Sequence, residues 1–170
     1  MPLTLLPHEP ASFDGAYRIT TVQGPLTLFR LCGRNVAGAA GNPFGRFWFN
    51  ERFFWNMIDV VTRNAASPAQ LNHYLRFVLR ELTAVCHDWN TFASIYQFHL
   101  PARHAVEVAV GRIAPQPFYS ASDPQHRASM PHEVLLGGEF QYIVDMTGNP
   151  ALKRFVQGPR PLWVPGAGRA

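Results

Sequence analysis

The sequence predicts a single α+β domain, and three observations lead to that class. Two amphipathic helix patterns follow one another, from about Glu51 to Thr62 and from Ser67 to about His87. Short strand patterns lie before and after this pair instead of alternating with it. Grouped helices of this kind are typical of α+β proteins. The length of 170 residues suits one domain with a sizeable hydrophobic core.

The two helices have recognisable start signals. Asn50 is placed to cap the first helix, whose apolar residues include Phe54 and Ile58 on one face. The second helix opens with Ser67 as N-cap and Pro68 at the first helical position, which is a strongly favoured combination. Its apolar positions recur at helical spacing over five turns, which predicts a face packed on the core.

The strand candidates are short apolar or alternating runs bounded by turn residues. Gly24-Pro25 marks a turn between the first two, and Val106, Val108 and Val110 alternate with other residues in a later one. In chain order the candidates are Tyr17 to Val22, Leu26 to Cys32, Arg46 to Phe49, Thr91 to Leu100, His104 to Ile113 and Gly138 to Val144.

Composition divides the chain into three parts. Residues 1–15 are proline-rich and predict an extended N-terminal arm, residues 16–148 form the folded domain, and residues 149–170 form a Pro/Gly-rich C-terminal tail. Within the domain, residues 114–136 predict a long irregular loop. Loops of this length in compact domains are usually functional or mobile.

Charge and composition restrict the partners. Net charge is +4, and fourteen of the fifteen basic residues are arginine. Arginine suits phosphate and carboxylate contacts, although biased genomic composition explains the same excess. The arginines form no basic run, so a nucleic-acid tract is not indicated, and contact with nucleic acid stays open. No apolar run is long enough to span a membrane and no basic signal-peptide head is present, so we expect a soluble protein.

Metal and thiol chemistry are not indicated. Cys32 and Cys86 lack CxxC spacing, and they predict buried, reduced thiols. The histidines are dispersed without HExxH or paired His/Cys spacing. We therefore expect no metal site.

Arg30 lies within the otherwise apolar run TLFRLCG. An arginine buried in a strand needs an anionic partner, because an unpaired buried charge is costly. One interpretation is a clamp for a phosphate or pyrophosphate. The other is a residue at a strand end that points outward or pairs with an internal carboxylate.

The run GRFWFNERFFW contains six aromatic residues in eleven positions. A ring beside a glycine-rich loop can stack on a planar heterocycle, but such residues more often belong to the core. Trp48 alternates with Phe47 and Phe49, so the two sets face opposite sides of the sheet, and we expect only one set to be core.

Glu139 and Gln141 are two residues apart in the run LLGGEFQYIV, which predicts that they share a strand face. A carboxylate beside an amide can bind ribose hydroxyls and stabilise positive charge at an anomeric carbon, as in glycoside cleavage. The alternative is a solvent-facing strand edge whose other face, with Phe140 and Tyr142, is the core.

The order of these motifs resembles the ADP-ribosyltransferase-like fold. The likeness rests on LFR in an early strand, GRFW before the helices, then VAVGRIAPQP and GGEFQYIV, and it spans roughly Tyr17 to Val144. It is closest to small bacterial toxin domains that transfer ADP-ribose from NAD or hydrolyse NAD. The resemblance implies two small antiparallel sheets that form a cleft, with helices packed between strand groups.

The resemblance also implies roles for named residues. Arg30 matches the arginine that holds the NAD phosphates, and the strand with Phe47 and Trp48 would line the nicotinamide pocket. Glu139 and Gln141 correspond to the catalytic position. The loop from about Pro115 to Leu136 would recognise the target.

Within that loop, Tyr119 and Ser120 are further cofactor-binding candidates. Many members of the family carry Ser or Thr where this chain has Phe49, and Ser120 or Ser122 would then replace that hydroxyl.

The resemblance therefore implies NAD as substrate, without a metal. Its acceptor would be water or a macromolecule, and a cognate immunity protein would be a partner. The protein would be cytoplasmic in the producing cell or delivered to a target cell by a route other than Sec. Two alternatives remain open: a non-enzymatic interaction module, in which aromatic and arginine residues bind a protein partner, and a nuclease using His99, His104 or histidines of the long loop.

Overall fold

Strands and helices follow one another in the predicted order, with additional elements between Ile113 and Phe140 and after Val144. The computed structural model describes residues 2–34, 41–64, 67–86, 89–121, 123–130 and 132–161. The strands are β1 (Phe13–Gln23), β2 (Leu26–Cys32), β3 (Phe47–Asn50), β4 (Ser94–Leu100), β5 (Ala105–Ile113), β6 (Gln116–Pro117), β7 (Val134–Leu135), β8 (Phe140–Val144) and β9 (Val156–Pro161). The helices are α1 (Glu51–Asn64), α2 (Pro68–Thr83) and α3 (Pro124–Ser129). The α+β class is confirmed.

Seven of the strands form one antiparallel sheet in the order β1-β5-β8-β3-β2-β4-β9, and β6 pairs with β7 in a separate ribbon. The expectation of two small sheets is therefore corrected to one continuous sheet. Its narrowest connection lies between β2 and β3, where only Leu28 and Phe29 have paired partners. Beyond Phe29 these two central strands separate.

The continuous sheet folds over on itself. β1 and β2 lie four positions apart in the sheet order, which would separate them by roughly 19 Å in a flat sheet. The link from Gln23 to Leu26 can span at most about 11 Å. The two halves of the sheet therefore turn toward each other, and the short link between β4 and β5 joins the same halves.

Both faces of the central strands are buried, one by the folded sheet and the other by helices. The inner face carries Leu28 and Trp48, packed with Phe98, Val108 and other apolar residues of β4, β5 and β8. The outer face carries Phe29, Leu31 and Phe49, which pack against α1 and α2. The expectation that only one of the two aromatic sets is core was wrong, because the sheet is covered on both sides.

The second helix begins as predicted and ends earlier. Ser67 accepts a hydrogen bond from the Gln70 amide at 3.2 Å, which satisfies a free N–H of the first turn. The helix ends at Thr83, and Ala84 follows in a left-handed conformation with φ 46°. The predicted end at His87 lies outside the described residues.

The described residues near both ends of the chain include regular structure that the sequence does not predict. The N-terminal arm packs on the sheet, and β1 already begins at Phe13, within the predicted arm. In the predicted tail, a 3-10 turn (Pro150–Phe155) precedes β9, which pairs with β4 at the edge of the sheet. An edge strand tolerates proline, since it needs only one row of hydrogen bonds.

The long loop also differs from its predicted irregular form. It contains the β6–β7 ribbon and α3. Within the described ranges, no helix is long and apolar enough to cross a membrane.

Candidate functional site

A cavity of about 540 Å³ opens where β2 and β3 separate. Its walls come from the N-terminal arm, β2, β3, the segment after α2, and β8. The lining residues are His8, Ala11, Ser12, Arg30, Leu31, Phe47, Phe49, Thr83, Ala84, Val85, Trp89, Asn90, Ile113, Gln116 and Gln141. The size suits a small organic ligand. Three of the predicted site residues, Arg30, Phe47 and Gln141, are brought together in it.

Arg30 fills the gap between the separating strands. Its Nη1 donates to the Phe47 carbonyl at 2.7 Å and its Nε donates to the Asn42 carbonyl at 3.1 Å. Within the described part of the chain, no carboxylate forms an ion pair with Arg30. Neutral carbonyls hold the cation in place without neutralising it.

Burial shifts the pKa values of Arg30 and Cys32 in opposite directions. Burial lowers the pKa of the Arg30 guanidinium, and the nearby Cys32 opposes this change. Burial likewise raises the pKa of the Cys32 thiol, against the attraction of Arg30. The thiol is therefore neutral near pH 7 and supplies no counter-charge. An arginine remains protonated even when burial lowers its pKa, so the cavity carries a positive charge.

Gly45 lies directly against the Arg30 side chain. A Cβ added at Gly45 would lie 2.1 Å from Nη2 and 2.3 Å from Cζ of Arg30. Only glycine therefore allows the guanidinium its observed position. This contact gives a structural reason for the glycine at position 45.

The aromatic residues of β3 divide between the cavity and the inner core. Phe47 and Phe49 line the cavity. Trp48 is fully buried on the inner face, where its Nε1 donates to the Gly45 carbonyl at 2.8 Å. Trp48 was a cofactor-binding candidate, but the structure places it away from the cavity because adjacent strand residues face opposite sides.

Gln141 and Glu139 do not share the cavity. Gln141 lies in β8 opposite Phe49 and is 4% exposed. Glu139 precedes the strand, directly after Gly137 and Gly138, which both have positive φ. Glu139 does not line the cavity. Its carbonyl accepts from the Ile113 amide at 2.8 Å.

The N-terminal arm, residues 2–12, contributes Ser12 directly beside Gln141. The Nε2 of Gln141 donates to the Ser12 carbonyl at 2.9 Å and to the Ser12 Oγ at 2.8 Å. Sequence reasoning missed Ser12, because 129 residues separate the two positions.

An ion-pair network holds the arm against the sheet. The fully buried Glu9 pairs with Arg46 at 2.5 Å, and Arg46 also pairs with Asp145 at 2.6 Å. Burial disfavours the charge of Arg46, but hydrogen bonds and attraction from Glu9 and Asp145 raise its pKa. Burial also disfavours the charge of Asp145, but the Gly148 amide and Arg46 lower its pKa.

The segment after α2 forms another wall and supplies Trp89 and Asn90. Arg80 supports it by donating to the carbonyls of Val85 and Cys86, both at 2.8 Å, and of Asn90 at 2.7 Å. Trp89 is 49% exposed. A tryptophan at the end of an amphipathic helix has no distinguishing pattern, so the sequence contained no signal for this wall.

The remaining candidates lie elsewhere. Tyr119 stacks on His126, with ring centroids 5.1 Å apart, and Ser120 is buried, but neither lines the cavity. Ser122 lies outside the described residues. His99 contacts Thr27 at 3.2 Å and His104 contacts Arg154 at 3.3 Å, and these histidines also lie off the cavity. Across the described ranges, no group of three His, Cys, Asp or Glu side chains is placed to hold a metal ion.

Comparisons with known proteins do not assign this chain to a family. No protein-family model matches the chain, and no curated protein matches it significantly. A solved structure described as "Rhs1-CT in complex with cognate immunity protein RhsI1" is 13% identical, covering 89% of this chain and 86% of that one, with a TM-score of 0.43. A likeness at this level supports no conclusion about fold or function.

Proposed function

We propose that the protein binds NAD in the central cavity and cleaves the bond between nicotinamide and ribose, as the resemblance to ADP-ribosyltransferase-like toxin domains implies. The ADP-ribose passes to water or to a macromolecular acceptor. The observation that carries this proposal is the convergence of Arg30 and Gln141 on one aromatic-lined cavity.

Arg30 would hold the pyrophosphate. The guanidinium has two nitrogens tied to carbonyl oxygens, which fixes its plane at the cavity. Arginine binds phosphate oxygens with charge-assisted hydrogen bonds. A cation that is partly buried among neutral groups gains most from such an anion, because the ligand replaces the solvation that burial removed.

The rings of Phe47 and Phe49 would pack against the nicotinamide. They form an apolar wall between Arg30 on β2 and Gln141 on β8. A planar heterocycle can stack on such rings, while its ribose and phosphates reach the polar groups on either side. Trp89 at the opening of the cavity offers a further ring surface.

Gln141 would act at the ribose. Its Nε2 is bonded to Ser12, so Oε1 is the atom able to accept a hydrogen bond from a ribose hydroxyl. When the glycosidic bond breaks, its electron pair leaves with nicotinamide and positive charge develops on the ribose. The Oε1 dipole stabilises that charge. Attack by water forms the new C–O bond, and the attacking water loses a proton.

The decisive measurement is nicotinamide release from NAD by the purified protein. We expect release by the wild type, with loss of at least about 100-fold in Gln141→Ala, as for removal of a group that stabilises transition-state charge. Glu139→Ala is the matched control, since Glu139 lies two residues away and off the cavity, and it should retain activity. Arg30→Ala should raise KM.

A second arginine provides the control for Arg30. Arg112 is exposed on β5, with its guanidinium 5.6 Å from the centre of the Phe140 ring, and Arg112→Ala should leave KM unchanged. Adding cell lysate with labelled NAD separates transfer to a macromolecule from hydrolysis. No release in either condition would refute NAD consumption.

The interaction module remains a second candidate because large apolar side chains are exposed. Phe77 is 59% exposed and Leu136 is 66% exposed, so both are accessible for contact with a protein such as an immunity protein. Thermal unfolding with NAD separates the two candidates, because a ligand that binds the folded state raises the melting temperature. No shift with millimolar NAD would favour the interaction module.

A further inference from the structure

We propose that Ser12, in the N-terminal arm, is a positioning residue for Gln141. The inference rests on the proposed function, which needs Oε1 of Gln141 directed at the ligand. It concerns residues that no motif of the sequence indicates. The geometry around the carboxamide carries it.

The hydrogen bonds around Ser12 fix which way the carboxamide points. The Ser12 carbonyl can only accept, so the group that faces it at 2.9 Å must be the NH₂ of Gln141. The Ser12 Oγ donates to the Glu9 carbonyl at 2.7 Å, so it presents a lone pair to the same NH₂ at 2.8 Å. Rotation of the amide by 180° would place Oε1 against two oxygen atoms.

Ser12 is itself held from both sides. Its carbonyl also accepts from the Ala114 amide at 2.9 Å, which ties the arm to the end of β5. Glu9, three residues earlier, is fully buried and paired with Arg46. A group whose own position is fixed by burial and pairing can orient its neighbour without a further loss of entropy.

The effect of removing the hydroxyl follows from this geometry. Ser12→Ala deletes one of two acceptors for the Gln141 NH₂, and the amide gains freedom to rotate. We expect kcat to fall about 5- to 10-fold, the range for one hydrogen bond, with KM changed less than about 2-fold, because the interaction matters mainly in the transition state. Ser12→Thr keeps a hydroxyl and should restore most of kcat.

Two readouts test the proposal. The first is the NMR signal of the Gln141 side-chain NH₂, assigned by its disappearance in Gln141→Ala, and its rate of hydrogen exchange with solvent. The second is the kcat and KM of nicotinamide release. The matched control is Ser129→Ala, since Ser129 donates to the His126 carbonyl at 2.8 Å on α3, away from the cavity.

The outcomes separate the two proposals. Faster exchange of the Gln141 NH₂ in Ser12→Ala, but not in Ser129→Ala or Ser12→Thr, supports the positioning role whether or not NAD is consumed. Unchanged exchange in Ser12→Ala overturns it. If the wild type releases no nicotinamide, the proposed function fails while the exchange measurement still decides the role of Ser12. A rise in KM with constant kcat would also overturn positioning.

Discussion

Gly45→Ala tests whether the position of the Arg30 guanidinium matters for ligand binding. The substitution adds one carbon atom, and that atom would lie 2.1 Å from Nη2 of Arg30 and 2.3 Å from its Cζ. Side-chain carbons pack at about 3.5–4 Å from other heavy atoms. The guanidinium must therefore move by more than about 1 Å.

The size of the effect follows from the bonds that this movement breaks. A shift of that size stretches the 2.7 Å bond from Nη1 to the Phe47 carbonyl and the 3.1 Å bond from Nε to the Asn42 carbonyl. Hydrogen bonds that involve a charged group contribute about 1.5–3 kcal/mol each. If the displaced guanidinium loses one hydrogen bond of this strength to a phosphate of NAD, the Kd for NAD should rise about 10- to 100-fold.

The assay is a double-mutant cycle measured by calorimetric titration with NAD. Gly45→Ala and Arg30→Ala should each weaken binding, and the double variant should bind no more weakly than Arg30→Ala alone. Without the arginine side chain, the added carbon no longer meets a guanidinium. In that background Gly45→Ala should be neutral or stabilise the fold by about 0.5 kcal/mol, because it restricts the unfolded chain.

Two results would refute this reasoning. Wild-type affinity in Gly45→Ala would show that the guanidinium position is irrelevant to the ligand. Additive effects of the two substitutions would show that Gly45 acts on something other than Arg30, since independent sites are additive and coupled ones are not.

Three further predictions concern stability and the cavity wall. Ala84→Gly relieves a left-handed backbone conformation with φ 46°, worth about 1–2 kcal/mol, but it also removes a methyl group buried in the core, worth about 0.8 kcal/mol, so calorimetry should record a melting temperature changed by less than about 2 °C. Folding lowers the pKa of Asp145 from its ordinary value of 3.8, so the ionised carboxylate stabilises the folded state at pH values above 3.8. That contribution should be lost as pH falls through the lower folded-state pKa, and urea unfolding of Asp145→Asn should show a weaker pH dependence below pH 5. NAD should quench the fluorescence of Trp89 at the cavity. In Trp89→Phe this quenching should be lost, while the emission of the fully buried Trp48 should persist.

Local patterns predicted most of the secondary structure. The start of α2 at Pro68 followed from the cap at Ser67, and β5 followed from alternating valines, because both signals depend on neighbouring residues alone. Because these signals depend only on neighbouring residues, they do not predict strands that form through distant pairing. β9 contains Gly158 and Pro159, which argue against a strand until pairing at the sheet edge compensates.

Local spacing also grouped Glu139 with Gln141, of which only Gln141 lines the cavity. Glu139 and Gln141 were expected on one face because a strand alternates every two residues. The chain at Gly137 and Gly138 instead adopts positive φ, so β8 begins only at Phe140. Gln141 therefore lies within β8, whereas Glu139 lies directly before it.

The sequence by itself determined the α+β class, the strand that carries Arg30 and the strand that carries Gln141, because these depend on local propensity and periodicity. Only the tertiary structure decided that Arg30 meets Gly45, that Trp48 belongs to the inner core, and that Ser12 meets Gln141. These contacts depend on how one sheet folds over on itself. That folding is set by the short link between β1 and β2, acting together with the order of all seven strands.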